Sequence, residues 1–283
     1  MILQPPANGL PLLFGVLNIT PDSFSDGGRW LEPQAAIAHG LQLARDGADL
    51  IDIGPEPSSW HRPGVHPVDP AEQIRRSIPV IHALAVRGLR VSIDTRSSEV
   101  AQAALDAGAV AINDISAGEH DPAMLALAAR AGCPIVLMHR RDEPPGSTPV
   151  YTCVESEVLA YLLARREAAR SAGIADACLW LDPGLGFGKT AAHNAGLLAA
   201  LPRFCHEHPR WLIGASRKRF TAALAGAPDA PPDQRLPGSL AAALWAAHHG
   251  AAALRVHDVA PTLAALRLWS AVERGVHEPT HRS

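Results

Sequence analysis

Short apolar runs alternate with longer amphipathic stretches along the whole chain, and no other feature restricts the fold as severely. The runs predict strands over Leu12–Leu17, Asp49–Ile53, Arg90–Ile93, Val110–Ile112, Ile135–Met138, Leu179–Leu181, Trp211–Ala215 and Leu254–Val256. Helical periodicity fills Gln34–Asp46, Pro70–Arg87, Glu99–Ala107, Met124–Arg130, Glu155–Ser171 and Thr262–Glu273. Asp69-Pro-Ala-Glu72 reads as an N-cap, a first-turn proline and a capping-box acid, and Asp121-Pro122 repeats the first half. Gly47, Gly88, Gly108, Gly132, Gly173 and Gly250 each close a helical pattern shortly before a strand, where a left-handed residue ends a helix. Eight such units in 283 residues predict an α/β fold. They fit one (β/α)8 TIM-barrel domain over residues 1–283, with its core at about 11–275. An open doubly wound sheet is the alternative. The Pro-rich stretch Ala227–Pro237 reads as a loop inserted in the seventh unit.

Polar residues stand at or just past every strand end: Asn18, Asp52, Asp94, Asn113 with Asp114, His139, Asp182, Ser216 and His257, with Arg255 inside the last strand. In a parallel barrel those ends and the loops after them build the active site, so the pattern points to an enzyme. One acid or amide at a strand end is ordinary turn chemistry; a full set of eight is not. The net charge of −3 gives no general attraction to nucleic acid or an anionic membrane. Cys133, Cys153, Cys178 and Cys205 form no Cys-x-x-Cys pair and read as small core hydrophobes. Met1-Ile-Leu-Gln-Pro-Pro6 lacks the basic start of a signal peptide. The apolar stretch Ser239–Leu254 is short for a bilayer span and fits a buried helix running into a strand. A cytoplasmic enzyme for small molecules, with no nucleic-acid or membrane partner, is the expectation.

Of 25 lysines and arginines only Lys189 and Lys218 are lysine, and lysine is a compact donor on a slim stem where arginine is a planar fork. Lys218 lies in Ser216-Arg-Lys-Arg219, after the seventh strand, and Arg255-Val-His257 ends the eighth. Barrels commonly bind phosphate through those two loops, so the three consecutive cations read as a local anion site. Gly184-Leu-Gly-Phe-Gly-Lys-Thr190 resembles a P-loop, but Pro183 stands where its first glycine is required. Among the 14 histidines no pair has zinc-helix spacing, and His206-Glu-His208 reads as an exposed turn. The first loop, Asn18-Ile-Thr-Pro-Asp-Ser-Phe-Ser-Asp-Gly-Gly28, offers hard oxygen donors that suit Mg2+ shared with a phosphate. Residue chemistry alone therefore reaches a barrel enzyme acting with Mg2+ on a phosphorylated or diphosphorylated small molecule.

The same segments carry a family resemblance. Phe14 to Gly28 resembles the first signature of the dihydropteroate synthases. The likeness continues through Ser92-Ile-Asp-Thr95, Ile112-Asn-Asp-Ile115, Leu137-Met-His139, Leu181 to Lys189, Ser216 to Arg219, Gly238-Ser-Leu240 and Arg255-Val-His-Asp258. It implies a (β/α)8 barrel, a homodimer, sensitivity to sulfonamides as a target, and a transferase of folate biosynthesis. That reaction joins 6-hydroxymethyl-7,8-dihydropterin diphosphate to 4-aminobenzoate, giving 7,8-dihydropteroate and diphosphate. The resemblance assigns catalysis to Lys218, Arg255, His257 and Asn18. Pterin contacts fall to Asp94, Asn113, Asp182, Lys218 and Arg255, and diphosphate contacts to Asn18, Arg62, Arg255 and His257, with Mg2+ at Asn18. Pro63, Phe187, Ser216 and Arg219 would serve 4-aminobenzoate. Asp182 would accept from the pterin ring, Arg255 would stack on its face, and Lys218 would reach its carbonyl side while its stem walls the amine channel. For Asp52 and Asp114, strand-end hydrogen bonding competes with direct contact.

Two loops depart from the family pattern. The second usually reads Asp-Ile/Val-Gly-Gly/Ala-Glu-Ser-Thr-Arg-Pro-Gly; here it is the longer Asp52-Ile-Gly-Pro-Glu-Pro-Ser-Ser-Trp-His-Arg-Pro-Gly64. No threonine precedes Arg62, and Ser58 and Ser59 are the candidate substitutes. His139-Arg-Arg-Asp-Glu-Pro-Pro-Gly146 replaces the usual Met- and Gln-containing segment. Loop closure assembles many active sites, so these changes bear on activity, amine specificity and sulfonamide sensitivity. Two alternatives follow: a catalytically weak pterin-binding paralogue, or a pterin-dependent methyltransferase domain working beside a corrinoid protein. A methyl carrier needs no diphosphate site, which the Lys218, Arg255 and His257 cluster argues against. Lys189 has no evident chemical role, and anchoring the loop after the sixth strand is its expected one.

Overall fold

The computed structural model describes residues 3–4, 9–19, 33–57, 66–142, 147 and 149–275. Arg62, Pro63, Ser58, Ser59 and the first loop beyond Ile19 lie outside the described residues. The strands are β1 (Leu12–Asn18), β2 (Leu50–Gly54), β3 (Val91–Asp94), β4 (Ala111–Asp114), β5 (Ile135–Met138), β6 (Leu179–Asp182), β7 (Leu212–Ile213) and β8 (Ala253–Val256). They run parallel in the order β6-β5-β4-β3-β2-β1-β8-β7. A parallel bridge between Leu181 and Trp211 joins the two ends, with Leu181 N donating to Arg210 O at 2.9 Å. That bridge makes the sheet a barrel and removes the open doubly wound alternative. β7 is shorter than the expected Trp211–Ala215, because the chain leaves the sheet after Ile213 and turns inward toward Lys218.

The helices are α1 (Pro33–Arg45), α2 (Pro70–Ala85), α3 (Ser98–Asp106), α4 (Met124–Ala131), α5 (Val154–Ser171), α6 (Ala191–Ala199), α7 (Leu201–Glu207), α8 (Arg219–Leu224), α9 (Leu236–His248) and α10 (Val259–Glu273). Gly47, Gly88, Gly108, Gly132, Gly173 and Gly250 all take the expected left-handed backbone. Asp69 caps α2 by accepting from Ala71 N at 2.8 Å. Glu72 closes no capping box; its carboxylate holds Arg75 and Arg76, each at 2.6 Å. Asp121 is likewise no N-cap of α4. It takes Ser98 N at 2.7 Å and Ala123 N at 3.0 Å, tying the start of α4 to that of α3.

α6, α7 and α8 carry no apolar stripe long enough to announce a helix. α6 is set instead by a capping box between Thr190 and His193, and α7 starts separately at Leu201 with Pro202 in its first turn. The stretch Ser239–Leu254 is a helix leading into β8, as expected, and among the described residues no helix is long and apolar enough to cross a membrane. The Pro-rich insert ends in a 3-10 turn at Pro232–Arg235, and Leu236 and Pro237 already belong to α9. Cys153 is exposed rather than buried in the core. His208 is buried, not an exposed turn residue, and its Nε2 meets Leu179 O at 3.0 Å.

Strand period two separates the core into two layers. Leu12, Phe14, Leu50, Ala111, Val136, Trp180, Leu212 and Ala253 fill the barrel interior, with Leu3 packed below. Leu13, Leu17, Ile51, Ile53, Ile93 and Ile112 face the helices. Two residues above the interior set on the same inward face stand Asp52, Asn113, Asp182, Gly214 and Arg255. The register places Asp52 level with Ser92 and Val16, and Asp94 level with Asn113. One inward face is therefore hydrocarbon at the bottom and polar at the rim.

Candidate active site

Asp52 lies at the centre of that rim. It is wholly buried and accepts three hydrogen bonds: from Ser92 Oγ at 2.6 Å, Arg255 Nε at 2.6 Å and Asn113 Nδ2 at 3.1 Å. Arg255 Nη2 donates to Asp94 Oδ2 at 2.8 Å, so two carboxylates fix the plane of the guanidinium. Burial works against the charge of Arg255, but Asp52 and Asp94 outweigh it and raise its pKa. Burial pushes the Asp94 carboxyl up to about 7 against the pull of Arg255, with the nearby Asp52 charge pushing the same way as burial. The arrangement separates the two uncertain acids. Asp52 is the buried counter-charge of Arg255, whereas Asp114 accepts from Ser116 N, Ser116 Oγ and Gly118 N at 2.7, 2.6 and 2.7 Å and only closes the turn after β4.

Asp182 at the end of β6 accepts from Gly184 N at 2.7 Å, and burial raises its pKa while Lys218 lowers it. A methyl group at Gly214 would lie 3.7 Å from Lys218 Nζ, 3.8 Å from Arg255 Cβ and 4.0 Å from Asp182 Oδ2. A lysine, an arginine and a carboxylate therefore converge around Gly214. Lys218 Nζ donates to Leu185 O and stands 4.5 Å from the centroid of the Phe187 ring. Burial depresses its pKa to about 8, with Asp182 opposing. The Arg140 guanidinium also lies over Phe187, at 5.7 Å.

The basic triplet does not act as one cluster. Arg217 adopts a left-handed backbone (φ 57°) and forms a two-pronged pair with Asp258 at 2.6 and 2.9 Å. Arg219 is exposed and starts α8. Only Lys218 turns into the barrel rim. Ser216 is buried, and its Oγ lies 3.1 Å from both His257 N and His257 Nδ1. It orients His257, and Arg219 stands exposed next to Lys218 at the start of α8. Burial, then the neighbouring Arg255 and Arg217 charges, depress the His257 pKa to about 3, which leaves the ring neutral at physiological pH.

Asn18 closes β1 opposite Gly54, where a methyl group would come within 3.2 Å of Asn18 Oδ1 and 3.8 Å of Asp94 Oδ2. Among the described residues no group of three His, Cys, Asp or Glu side chains is placed to hold a metal. A single amide oxygen nevertheless suits Mg2+, which keeps several waters and completes its shell with substrate phosphate oxygens.

Lys189 anchors its loop as expected. Its Nζ lies 2.9 Å from Gly184 O, 2.9 Å from Phe187 O, 3.0 Å from His139 Nδ1 and 3.4 Å from His139 O. Burial depresses Lys189 to about 7 and His139 to about 3, the latter helped by the Lys189 charge. Sequence reasoning missed Ser92, Arg140 and the buried Glu56–Arg96 pair at 2.9 Å. Glu56 also accepts from Val68 N at 3.0 Å and so joins the two ends of the second loop. Ser92 was findable from its inward strand position; Arg140 left no periodic signal.

A family model described as pterin binding enzyme matches residues 14–257, from β1 to the end of β8. The dihydropteroate synthase of Mycobacterium leprae is 47% identical over 262 residues, covering 90% of this chain and 91% of the relative. The chain belongs to the dihydropteroate synthase family of pterin-binding enzymes. The Escherichia coli dihydropteroate synthase is 41% identical, covering 91% of this chain and 90% of its own. The Xanthomonas albilineans dihydropteroate synthase solved with 4-aminobenzoic acid superposes with a TM-score of 0.85 at 48% identity, covering 94% of each chain. The same enzyme in complex with 7,8-dihydropteroate gives 0.83 at 45% identity and 95% of each chain. Within this dihydropteroate synthase frame, the rim gathers Asn18, Asp94, Asn113, Asp182, Lys218, Arg255 and His257.

Proposed function

We propose that the protein joins 6-hydroxymethyl-7,8-dihydropterin diphosphate to 4-aminobenzoate, releasing diphosphate and forming 7,8-dihydropteroate. The observation that carries the reading is the convergence of buried acceptors with Lys218, Arg255 and neutral His257 on one rim of a dihydropteroate synthase barrel. Asp182 faces the amino and ring N–H donors of the pterin, and Asp94 and Asn113 complete its edge. Lys218 donates to the carbonyl side. Arg255 carries the diphosphate charge that grows as the methylene C–O bond breaks, and its plane is held by Asp52 and Asp94 before substrate arrives. His257 donates to the same group without bringing a second charge. The electron-rich pterin shares the positive charge left on its methylene carbon. The arylamine nitrogen then forms the new C–N bond and gives its proton to the diphosphate or to water. Mg2+, held at Asn18 and by the diphosphate, would supply further neutralisation of the leaving group.

Arg62 belongs to the proposed diphosphate contacts, and Pro63, Phe187, Ser216 and Arg219 to the amine site. A homodimer is part of the proposal. Trp245, Leu268, Trp269 and Val272 on α9 and α10 expose 46, 68, 38 and 72% of their surface, an apolar face for a second copy. A cytoplasmic location fits substrates that carry a diphosphate or carboxylate. The test is turnover of purified protein with Mg2+ and both substrates, scored as dihydropteroate. Tight pterin binding with no diphosphate release would refute the synthase reading and favour the weak paralogue. Light scattering of Trp269→Glu against wild type tests the dimer, which the substitution should split.

A further inference from the structure

We propose that Lys189 is a positioning residue for the arylamine half of the site, holding the turn 184–187 in the one shape that sets Phe187 and Leu185 O against Lys218. The inference rests on the synthase reading for its kinetic consequence. Its structural basis is independent.

The turn is built from alternating left-handed glycines, Gly184, Gly186 and Gly188, at φ 66°, 83° and 61°. The two lysines of the chain divide its carbonyls between them. Lys189 Nζ meets Gly184 O and Phe187 O, both at 2.9 Å, and Lys218 Nζ meets Leu185 O. The turn has no slack against the loop after β5. A methyl group at Gly184 would lie 1.8 Å from His139 O, and one at Gly188 would lie 2.1 Å from Arg141 O. Tyr151 Oη adds a bond to Gly188 O at 3.0 Å, and Asn194 Oδ1 accepts from Gly186 N at 2.7 Å. Removing the Lys189 ammonium strips a donor from Gly184 O and from Phe187 O, two of the bonds that fix the shape of this half-buried turn. The segment that moves includes Phe187 itself, whose N–H also bonds Gly184 O at 3.1 Å. The Asp182 backbone is held separately by strand pairing with Met138 and by the bond from His139 N at 2.9 Å, and its carboxylate meets the turn only through Gly184 N at 2.7 Å. The damage therefore falls chiefly on the amine side, where Phe187 itself is displaced.

The experiment combines steady-state kinetics with hydrogen–deuterium exchange on intact Lys189→Met and Tyr151→Phe proteins. In Lys189→Met the KM for 4-aminobenzoate should rise about tenfold or more while that for the dihydropterin diphosphate rises by a clearly smaller factor. Amides of 184–188 should exchange faster, and those of β1 to β4 should not. Tyr151→Phe removes one hydroxyl and so perturbs folding little; it should shift the amine KM the same way by a smaller factor. Equal rises in both KM values would overturn the inference, as would unchanged exchange at 184–188. A wild-type protein that forms no dihydropteroate counts against the proposed reaction, while the exchange comparison still decides whether Lys189 holds the turn.

Discussion

Asp52→Asn isolates what the buried carboxylate does for Arg255. The amide keeps the size and shape of the carboxylate but replaces one acceptor oxygen with a donor NH2. Its oxygen can take the place that receives Arg255 Nε at 2.6 Å and Asn113 Nδ2 at 3.1 Å, and its NH2 can donate to Ser92 Oγ. Geometry is then nearly retained while one of the two charges holding the guanidinium is lost. A hydrogen bond to a charged group contributes about 1.5–3 kcal/mol against about 1 for a neutral pair, so a loss of about 1–2 kcal/mol is expected. Asp94 remains at 2.8 Å, which keeps the cost below that of a fully orphaned buried charge. In kcat/KM for the dihydropterin diphosphate this is a fall of about 5- to 30-fold, with a comparable loss of stability in urea. The pH profile moves as well. Asp94 sits near 7 because burial, and then the Asp52 charge, oppose Arg255. Without that neighbouring negative charge its pKa falls, so the acid limb of kcat/KM shifts to lower pH. Kinetics within twofold of wild type, with an unmoved acid limb, would refute the claim that Asp52 prepares Arg255.

Three further outcomes follow from the same geometry. Lys218→Arg should lose far more activity than Arg203→Lys, because Lys218 reaches Leu185 O past Gly214 and Phe187 whereas Arg203 is exposed on α7; comparable, near-wild-type turnover in both would defeat that account. His139, neutral and depressed to about 3 when folded, contributes stability that is whole above the unfolded value near 6.5 and lost as pH falls toward 3. The stability gap between wild type and His139→Asn should shrink by about 2 kcal/mol from pH 7 to 5 in urea titrations, and a gap independent of pH would rule out a buried neutral ring. Gly184→Ala should abolish the folded turn, since the new methyl group meets His139 O at 1.8 Å and the backbone is left-handed; thermal melting beside Gly9→Ala, whose Cβ meets nothing within 4 Å, is the comparison.

The strand pattern was legible because it obeys a local rule. Period two alone puts Leu12 and Phe14 inside the barrel and, one layer higher, predicts that Asp52, Asn113, Asp182 and Arg255 face one another. Which partner each would choose was not legible. That depends on barrel register: Arg255 on β8 reaches Asp52 on β2 across β1, 203 residues away in sequence. The triplet Arg217-Lys218-Arg219 misled for a related reason. Adjacent residues in a turn diverge, and the left-handed backbone at Arg217 sends its fork to Asp258 rather than into the rim. α6 and α8 escaped notice because their burial is too brief to write a stripe.

Lysine usage carried more than charge. Both lysines are half-buried, and both end on backbone carbonyls of the same glycine-rich turn. An ammonium directs three donors from one atom and so can bond carbonyls that converge from different directions; a guanidinium spreads five donors across a plane and needs acceptors lying in it. Asp52 and Asp94 supply such an in-plane pair, and the residue placed there is Arg255. Carbonyls turned inward by alternating left-handed glycines supply the other geometry. A chain that writes nearly all its positive charge as arginine therefore keeps lysine where the acceptors are a curved backbone. The wall beside Phe187, unlike the pterin pocket, is then only as well defined as the two ammonium groups that hold that backbone in place.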